Sequence, residues 1–74
     1  MTTLTEIEGK LLALKPGDSG VRITNIELME IDVPGVSYFD TKSRAEWLRK
    51  RLPFACSLRE SPTTADWVYS RVAN

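Results

Sequence analysis

Histidine is absent from the sequence, and cysteine occurs only once, at position 56. Without histidine, the chain lacks the commonest general base and proton shuttle of enzymes. A single cysteine can neither close a disulfide within the chain nor supply the several ligands of a structural zinc site. The alternating residues around Cys56 predict a buried, unreactive thiol. These absences favour a protein that is not an enzyme and that holds no cofactor or metal.

Long apolar segments are missing as well. The longest purely apolar run covers residues 11–14, far short of the roughly 20 residues that a membrane-spanning helix needs. The N-terminal residues do not follow the basic, apolar and small-residue order of a secretion signal. One unpaired cysteine is typical of a reducing compartment. We therefore expect no membrane partner and a cytoplasmic location.

A chain of 74 residues has room for one thin core. Size scaling predicts that folding buries roughly 60% of the surface of the unfolded chain. Little interior volume is left for an enclosed active-site cavity of about 300 Å³ or more. A groove or a flat face is the binding surface to expect. The apolar fraction of 42% and the charged fraction of 27% are typical of globular proteins, and we predict one domain over residues 1–74.

The net charge of zero conceals a division between the two halves of the chain. Residues 1–40 carry seven acidic and three basic side chains, a net charge of −4, and residues 41–74 carry the reverse, a net charge of +4. This asymmetry is compatible with a charged partner, and equally with neutralisation of one half by the other within the fold. Glu27, Glu30 and Asp32 lie close together without a calcium-binding loop, so we interpret them as a solvated acidic face.

The N-terminal segment has the pattern of a capped amphipathic helix. Two overlapping TxxE capping boxes, which begin at Thr3 and Thr5, predict a helix start near residues 4–6. The apolar residues that follow stand three, four and three positions apart and predict one buried face: Leu4, Ile7, Leu11 and Leu14. The proline and glycine within residues 15–18 then predict a turn.

Residues 21–33 allow two interpretations. Val21 and Ile23 alternate with polar residues, as in a half-buried strand, but this alternation breaks after residue 24. Either a β-bulge at residues 24–25 continues a long bent strand, or the strand ends and a short helical turn capped by Asn25 begins. We favour the long bent strand, and the short helix stays open. Pro34 and Gly35 predict the next turn.

A basic helix followed by a β-hairpin is predicted for the second half. Asp40 or Thr41 caps a helix over about residues 41–52, which Pro53 ends. Its buried side is expected to contain Ala45, Leu48 and Leu52, with Trp47 at the margin. Two alternating segments joined by a proline-containing turn then form the hairpin. We expect these hairpin residues to face the helices: Phe54, Cys56, Leu58, Val68 and Val72.

Trp67 and Tyr69 alternate with the valines of the last strand. They are therefore expected to face outward or to cover an edge, and packing of the tryptophans over the thin core is the alternative. Together the elements predict an α+β fold in the order α-β-α-β-β. A small antiparallel sheet of three or four strands would pack on one or two helices.

Aromatic and basic side chains of the second half suggest a binding surface. Tryptophan, tyrosine and arginine are enriched in protein interfaces. The candidate partner-binding residues are Lys42, Arg49, Lys50, Arg59, Trp67, Tyr69 and Arg71. The exposed final strand could also pair with its copy and form a homodimer through an edge strand.

Nucleic-acid binding is the alternative use of the same groups. A basic helix from Lys42 to Arg51 could neutralise phosphates or enter a major groove. The net charge of zero counts against it, because nucleic-acid-binding domains are usually strongly basic. Arg44, Lys50 and Arg51 also have a structural alternative, which is to cover the acidic face of the same molecule.

Four segments of the sequence resemble small proteins encoded by bacteriophages and prophages. They are LLALKPGDSGVRIT, SRAEWLRKRL, FACSLRES and DWVYSRV. The resemblance implies a short helix, a turn into a strand, a second helix and a C-terminal hairpin. It also implies a small non-enzymatic protein that binds and blocks a host protein complex, as inhibitors of CRISPR and other defence systems do, or that acts as a small regulator. It identifies no functional residues.

Overall fold

A three-stranded antiparallel sheet in the order β1-β3-β2 forms one layer of the structure. The structure is a computed structural model and describes residues 2–17 and 19–72. The strands are β1 (Val21–Thr24), β2 (Cys56–Glu60) and β3 (Asp66–Arg71). The helices are α1 (Leu4–Leu12), α2 (Asn25–Glu30) and α3 (Thr41–Arg51). All three helices contribute to a core on one face of the sheet. The predicted α+β class is confirmed.

Local capping explains where α1 and α3 begin. The hydroxyl of Thr3 accepts a hydrogen bond from the Glu6 amide at 3.2 Å, and the Asp40 carboxylate accepts one from the Ser43 amide at 3.1 Å. Each bond satisfies an amide that has no partner within its helix. Both helices therefore begin where the sequence predicts. Asp18, the last residue of the predicted turn after α1, lies outside the described residues.

Helix α2 replaces most of the long bent strand that was predicted for residues 21–33. Strand β1 ends at Thr24, which caps α2 through a complete capping box with Glu27. The Thr24 hydroxyl accepts from the Glu27 amide at 3.1 Å, and the Glu27 carboxylate accepts from the Thr24 amide at 3.1 Å. The prediction of a long strand was wrong, because this local capping competes with further strand pairing. The alternative of a short helix is correct, with its cap one residue before Asn25.

The core is one cluster between the helices and the sheet. Its residues are Ile7, Leu11, Leu14, Ile23, Leu28, Ile31, Val33, Ala45, Leu48, Cys56, Trp67 and Tyr69. The predicted buried stripes of α1 and α3 are present in it except for Leu4 and Leu52, which pack against it as partly buried residues, as Trp47 does. The other face of the sheet carries mainly polar side chains, as an antiparallel sheet that faces water does.

In the observed hairpin register, the face of β3 that turns toward the helices is the opposite of the predicted one. Leu58 lies opposite Tyr69, and Cys56 lies opposite Arg71. Directly opposed residues share a face of the sheet, so Tyr69 and Trp67 join Cys56 in the core. Val68 lies on the other face, and Val72 is exposed. The expectation that Trp67 and Tyr69 face outward was wrong, and the alternative of burial over the core is correct for Trp67.

Strand β3 lies in the middle of the sheet and pairs with both β1 and β2. The expectation that the final strand forms an exposed edge was therefore wrong. The outer strands are β1 and β2, so a homodimer through an edge strand stays a prediction that would have to use one of them.

Gly20 sits where the chain enters the sheet and has a positive φ of 108°. A Cβ atom at this position would lie 2.8 Å from the Tyr69 carbonyl oxygen and 3.0 Å from a methyl group of Val68. Only glycine combines this backbone conformation with so close an approach to β3.

Among the described residues, no helix is long and apolar enough to span a membrane.

Candidate functional site

An open groove of about 310 Å³ runs along the exposed side of α3. It is lined by Val36, Lys42, Ser43, Glu46, Trp47 and Lys50. The spacing between successive α3 residues of this set alternates between one and three positions, which places them on one stripe of the helix. Val36 comes from the connector between α2 and α3. The groove agrees with the expected kind of surface for so small a core.

Apolar contacts form the floor of the groove and charges stand on its rim. Val36 and Trp47 are half-buried and pack against the core cluster. The Arg51 guanidinium lies 4.6 Å from the centre of the Trp47 ring, within the range of a cation–π contact. One face of the indole is thus covered by Arg51, while the indole also borders the groove.

Lys42 and Lys50 carry the available positive charge of the groove. Both side chains are exposed, and neither forms an ion pair with any residue that the structure describes. Glu46 lies between them, but its carboxylate accepts from Arg49 at 2.9 Å and pairs with the second Arg49 nitrogen at 2.8 Å. The carboxylate is therefore already engaged, and the two ammonium groups face solvent on either side of Trp47.

Two stacked aromatic side chains lie in the connector just before α3. The rings of Tyr38 and Phe39 have centroids 4.3 Å apart and an interplanar angle of 28°. Tyr38 is 50% exposed and Phe39 is 72% exposed. They lie in the chain between Val36 and Lys42, which both line the groove. We call the groove residues together with Tyr38 and Phe39 the α3 surface.

Arg44 holds the connector that carries this aromatic pair. The side chain is only 5% exposed and donates to backbone carbonyls alone. Its Nε donates to Ser37 at 3.1 Å, its Nη2 to Val36 at 3.2 Å, and its Nη1 to Leu28 at 3.0 Å and also to Ile31. Leu28 is in the last turn of α2, where carbonyls lack helical partners. One guanidinium thus joins the end of α2, the connector and α3.

Carboxylates at the helix starts and in the hairpin are held in their charged form. Hydrogen bonds from Ser43 lower the pKa of Asp40, and the charge of Lys42 contributes. Hydrogen bonding with Thr64 lowers the pKa of Asp66, and Arg22 lowers it further. Burial alone would raise the pKa of Glu27, but its hydrogen bonds to Thr24 and the nearby Lys10 bring it below the ordinary value.

Of the seven predicted partner-binding residues, the structure places only Lys42 and Lys50 at the groove. Arg49 lies on the same helix but is engaged with Glu46, and it also donates to the Cys56 carbonyl at 3.5 Å. Arg59 is exposed on the outer face of the sheet, opposite Val68 and away from the helices. The predicted residues therefore do not form one surface.

Three of the predicted residues have contacts inside the molecule instead. Tyr69 is fully buried, and its hydroxyl donates to the Ala45 carbonyl at 2.8 Å. The Trp67 indole donates to the Asn25 side chain at 2.8 Å. Arg71 donates to the Leu14 carbonyl at 3.2 Å, and its guanidinium lies 4.2 Å from the Phe54 ring centre. These groups fasten the sheet to α3, α2 and the end of α1, respectively.

Two ion pairs join the acidic half of the chain to the basic half. Arg51 lies 3.3 Å from Glu8, and Arg22 lies 3.2 Å from Asp66. Of these two pairs, Arg51–Glu8 offsets the net charges of the two halves. The Arg22–Asp66 pair does not, because its base belongs to the acidic half and its acid to the basic half. The expectation that Arg44 and Lys50 cover the acidic residues was wrong, because Arg44 binds carbonyls and Lys50 points to solvent.

Cys56 is buried, and burial raises the pKa of its thiol. The buried position agrees with the sequence prediction. In the part of the chain that the structure describes, no group of three or more potential metal-ligating side chains lies together.

The arrangement at the α3 surface offers apolar contact, aromatic stacking and two positive charges.

Comparison of the chain with known protein families, with characterised proteins and with solved structures gives no match. The fold and the α3 surface are accordingly the basis of the functional argument.

Sequence reasoning missed the aromatic pair and the role of Trp47. Residues 36–39 read as a short apolar connector, and Trp47 reads as the margin of a buried helix face. A usable signal was the position of Tyr38 and Phe39 between a Pro-Gly turn and the cap of α3. Side chains in such a short turn segment have little sheet or helix surface to pack against and tend to be exposed.

Proposed function

We propose that the chain is a small non-enzymatic protein that binds a protein partner through the α3 surface. The exposed, stacked pair of Tyr38 and Phe39, in the connector between the groove residues Val36 and Lys42, is the observation that supports this most. Aromatic residues dominate the binding energy of many protein interfaces, because they bury a large area at little cost in conformational entropy.

Order in the connector makes this surface suitable for binding. Arg44 bonds the backbone on both sides of the turn, and the Ser37 hydroxyl accepts from the Phe39 amide at 3.3 Å. The aromatic pair is thus displayed on a backbone that is held before a partner arrives. A preformed surface loses less conformational entropy on binding than a flexible one.

The resemblance to phage-encoded proteins suggests which class of partner to test. On that basis, the partner is a host protein complex in the cytoplasm, such as a CRISPR complex or another defence system, and binding at the α3 surface blocks it. The engagement of Arg44, Arg49 and Arg51 inside the molecule supports a protein rather than a nucleic acid as the partner, because it leaves the helix with two available charges.

The test compares partner retention by matched variants of the tagged chain. Bacterial lysates and purified defence complexes are passed over the wild-type chain, Tyr38→Ser with Phe39→Ser, and Arg59→Glu as the control on the opposite face. We expect a stoichiometric protein complex on the wild type and on the control, and at least about a tenfold loss on the aromatic variant. Equal retention by the aromatic variant, or no stoichiometric protein on the wild type, would contradict the proposal.

A single-stranded nucleic acid is the second candidate partner. The exposed aromatic pair, together with Lys42 and Lys50 on α3, favours it, since bases stack on exposed aromatic rings and lysines contact the nucleic-acid backbone. This candidate predicts oligonucleotide binding that weakens steeply with salt and is lost in Lys42→Glu with Lys50→Glu. Failure to bind labelled oligonucleotides at low salt would rule it out.

A further inference from the structure

The spacing of charges on the α3 surface specifies what kind of segment it can hold. Lys42 and Lys50 are eight residues apart on one helix, so about 12 Å of helix axis separates them. Val36 and Trp47 border the groove between and beside them. An apolar floor with a positive charge near each end is complementary to an apolar side chain with an acidic residue on each side.

The intervening carboxylate does not cancel this pattern. Glu46 is bound by two nitrogens of Arg49. The Asp40 carboxylate caps α3 by accepting from the Ser43 amide. It stays charged and is attracted to Lys42, but it is not one of the groove-lining residues. The groove therefore stays positive through Lys50 and, with its charge partly offset by Asp40, through Lys42. Neither ammonium group has an ion-pair partner among the described residues.

We propose that the α3 groove binds an acidic, extended peptide segment of the partner in which two carboxylates lie four residues apart around a central apolar residue. An extended chain rises about 3.3 Å per residue, so four residues span about 13 Å and match the separation of the lysines. The apolar side chain lies against Val36 and Trp47, and the carboxylates meet Lys42 and Lys50. This inference rests on the proposed protein-binding function and specifies its ligand.

Selection from a random peptide library tests the pattern without knowledge of the partner. Peptides are selected on the wild-type chain, on Lys42→Glu with Lys50→Glu, and on Arg59→Glu. We expect acidic residues at positions i and i+4 around an apolar residue on the wild type and on the Arg59→Glu control. The double variant should instead select basic residues at these two positions.

Affinity measurements on one selected acidic peptide provide the second readout. The double charge reversal should weaken binding by about tenfold or more, since two attractive pairs become repulsive, and Arg59→Glu should change it by less than about twofold. Both lysines are exposed, so circular dichroism should show that the double variant remains folded. Selection of peptides without acidic residues, or equal binding by the double variant, would overturn the inference.

The aromatic variant separates this inference from the proposed function. Non-acidic peptides that bind the wild type but lose binding in Tyr38→Ser with Phe39→Ser would overturn the acidic ligand and leave the α3 surface as the binding site. Peptides that bind all variants equally would overturn both. Displacement of the acidic peptide by a single-stranded oligonucleotide at equal concentration would overturn the choice of a peptide as the ligand.

Discussion

Arg44 shows how a charged residue becomes part of the core without a carboxylate partner. It lies at the start of α3, and four carbonyl oxygens surround its guanidinium: those of Leu28, Ile31, Val36 and Ser37. These carbonyls belong to the end of α2 and to the connector, where regular backbone partners are few. The Ser37 carbonyl also accepts from the Asp40 amide at 3.0 Å. Arginine suits this place, because its planar fork reaches several acceptors at once and stays charged when buried.

Replacement of Arg44 by methionine is expected to destabilise the fold strongly. Methionine fills a similar volume but removes the donor to the buried carbonyls of Leu28 and Ile31, at a cost on the order of 3 kcal/mol. Urea denaturation measures the free energy of unfolding. Lys42→Met, an exposed change on the same helix, is the control and should stay within about 0.5 kcal/mol of the wild type. Similar stabilities for the two variants would contradict the role assigned to Arg44.

At the scale of the elements, local capping determined where helices begin, even against a strand pattern. Residues 24–27 contain the same TxxE box that starts α1. Four residues of β1 pair with β3, and the Thr24–Glu27 box then starts α2. The break in alternation after residue 24 marked the end of the strand, and the capping box that explains it lay one residue before the predicted cap.

Replacement of Gly9 and of Gly20 by alanine is expected to change the stability of the protein in opposite directions. Gly9 lies within α1, and a Cβ there would meet nothing within 4 Å. Gly9→Ala should therefore stabilise the protein by about 0.5–1 kcal/mol. Gly20→Ala should cost about 1–3 kcal/mol, because it needs a positive φ and collides with the Tyr69 carbonyl.

Thermal and urea denaturation of the two glycine variants provide the measurement, and each variant is the other's control. A loss of stability in Gly9→Ala would mean that α1 is packed more closely than the described contacts indicate. Unchanged stability in Gly20→Ala would show that the entry into β1 can adopt another backbone conformation.

For the whole molecule, electrostatics predicts loss of stability in acid. The pKa values of Glu27, Asp40 and Asp66 are lower in the folded chain than their ordinary values. Ordinary values are about 4, so below this pH the unfolded chain takes up protons that the folded chain does not. Their contribution to stability is present above about pH 4 to 5 and is lost as the pH falls through the folded-state values.

The free energy of unfolding is measured by urea denaturation at about six pH values between about pH 2.5 and 7. The control is Glu27→Gln with Asp40→Asn and Asp66→Asn, which keeps oxygen acceptors at the two helix caps and at the hairpin but removes the titrating groups. We expect a flatter pH profile for this triple variant. An equally steep loss of stability would assign acid unfolding to other carboxylates.

The sequence by itself determined the local features of this protein. The α+β class, the bounds of α1 and α3 and the hairpin follow from caps, turns and apolar spacing, which act within a few residues of one another. The buried stripes of the two longer helices follow from the same spacing. The helical spacing also predicts the position of Lys42 and Lys50 on one exposed stripe of α3.

Only the tertiary structure decided which face of β3 turns inward and which charges remain available. With the observed register, Leu58 opposes Tyr69, and a shift by one residue would have brought Val68 inward instead. The partners of Arg44 and Arg51 likewise lie outside α3, on carbonyls of α2 and the connector and on Glu8 of α1. Arg49 pairs with Glu46 of its own helix and also reaches the Cys56 carbonyl of β2. The contacts between elements join residues from 7 to 43 positions apart in the chain. Their choice depends on how the elements pack together rather than on local pattern.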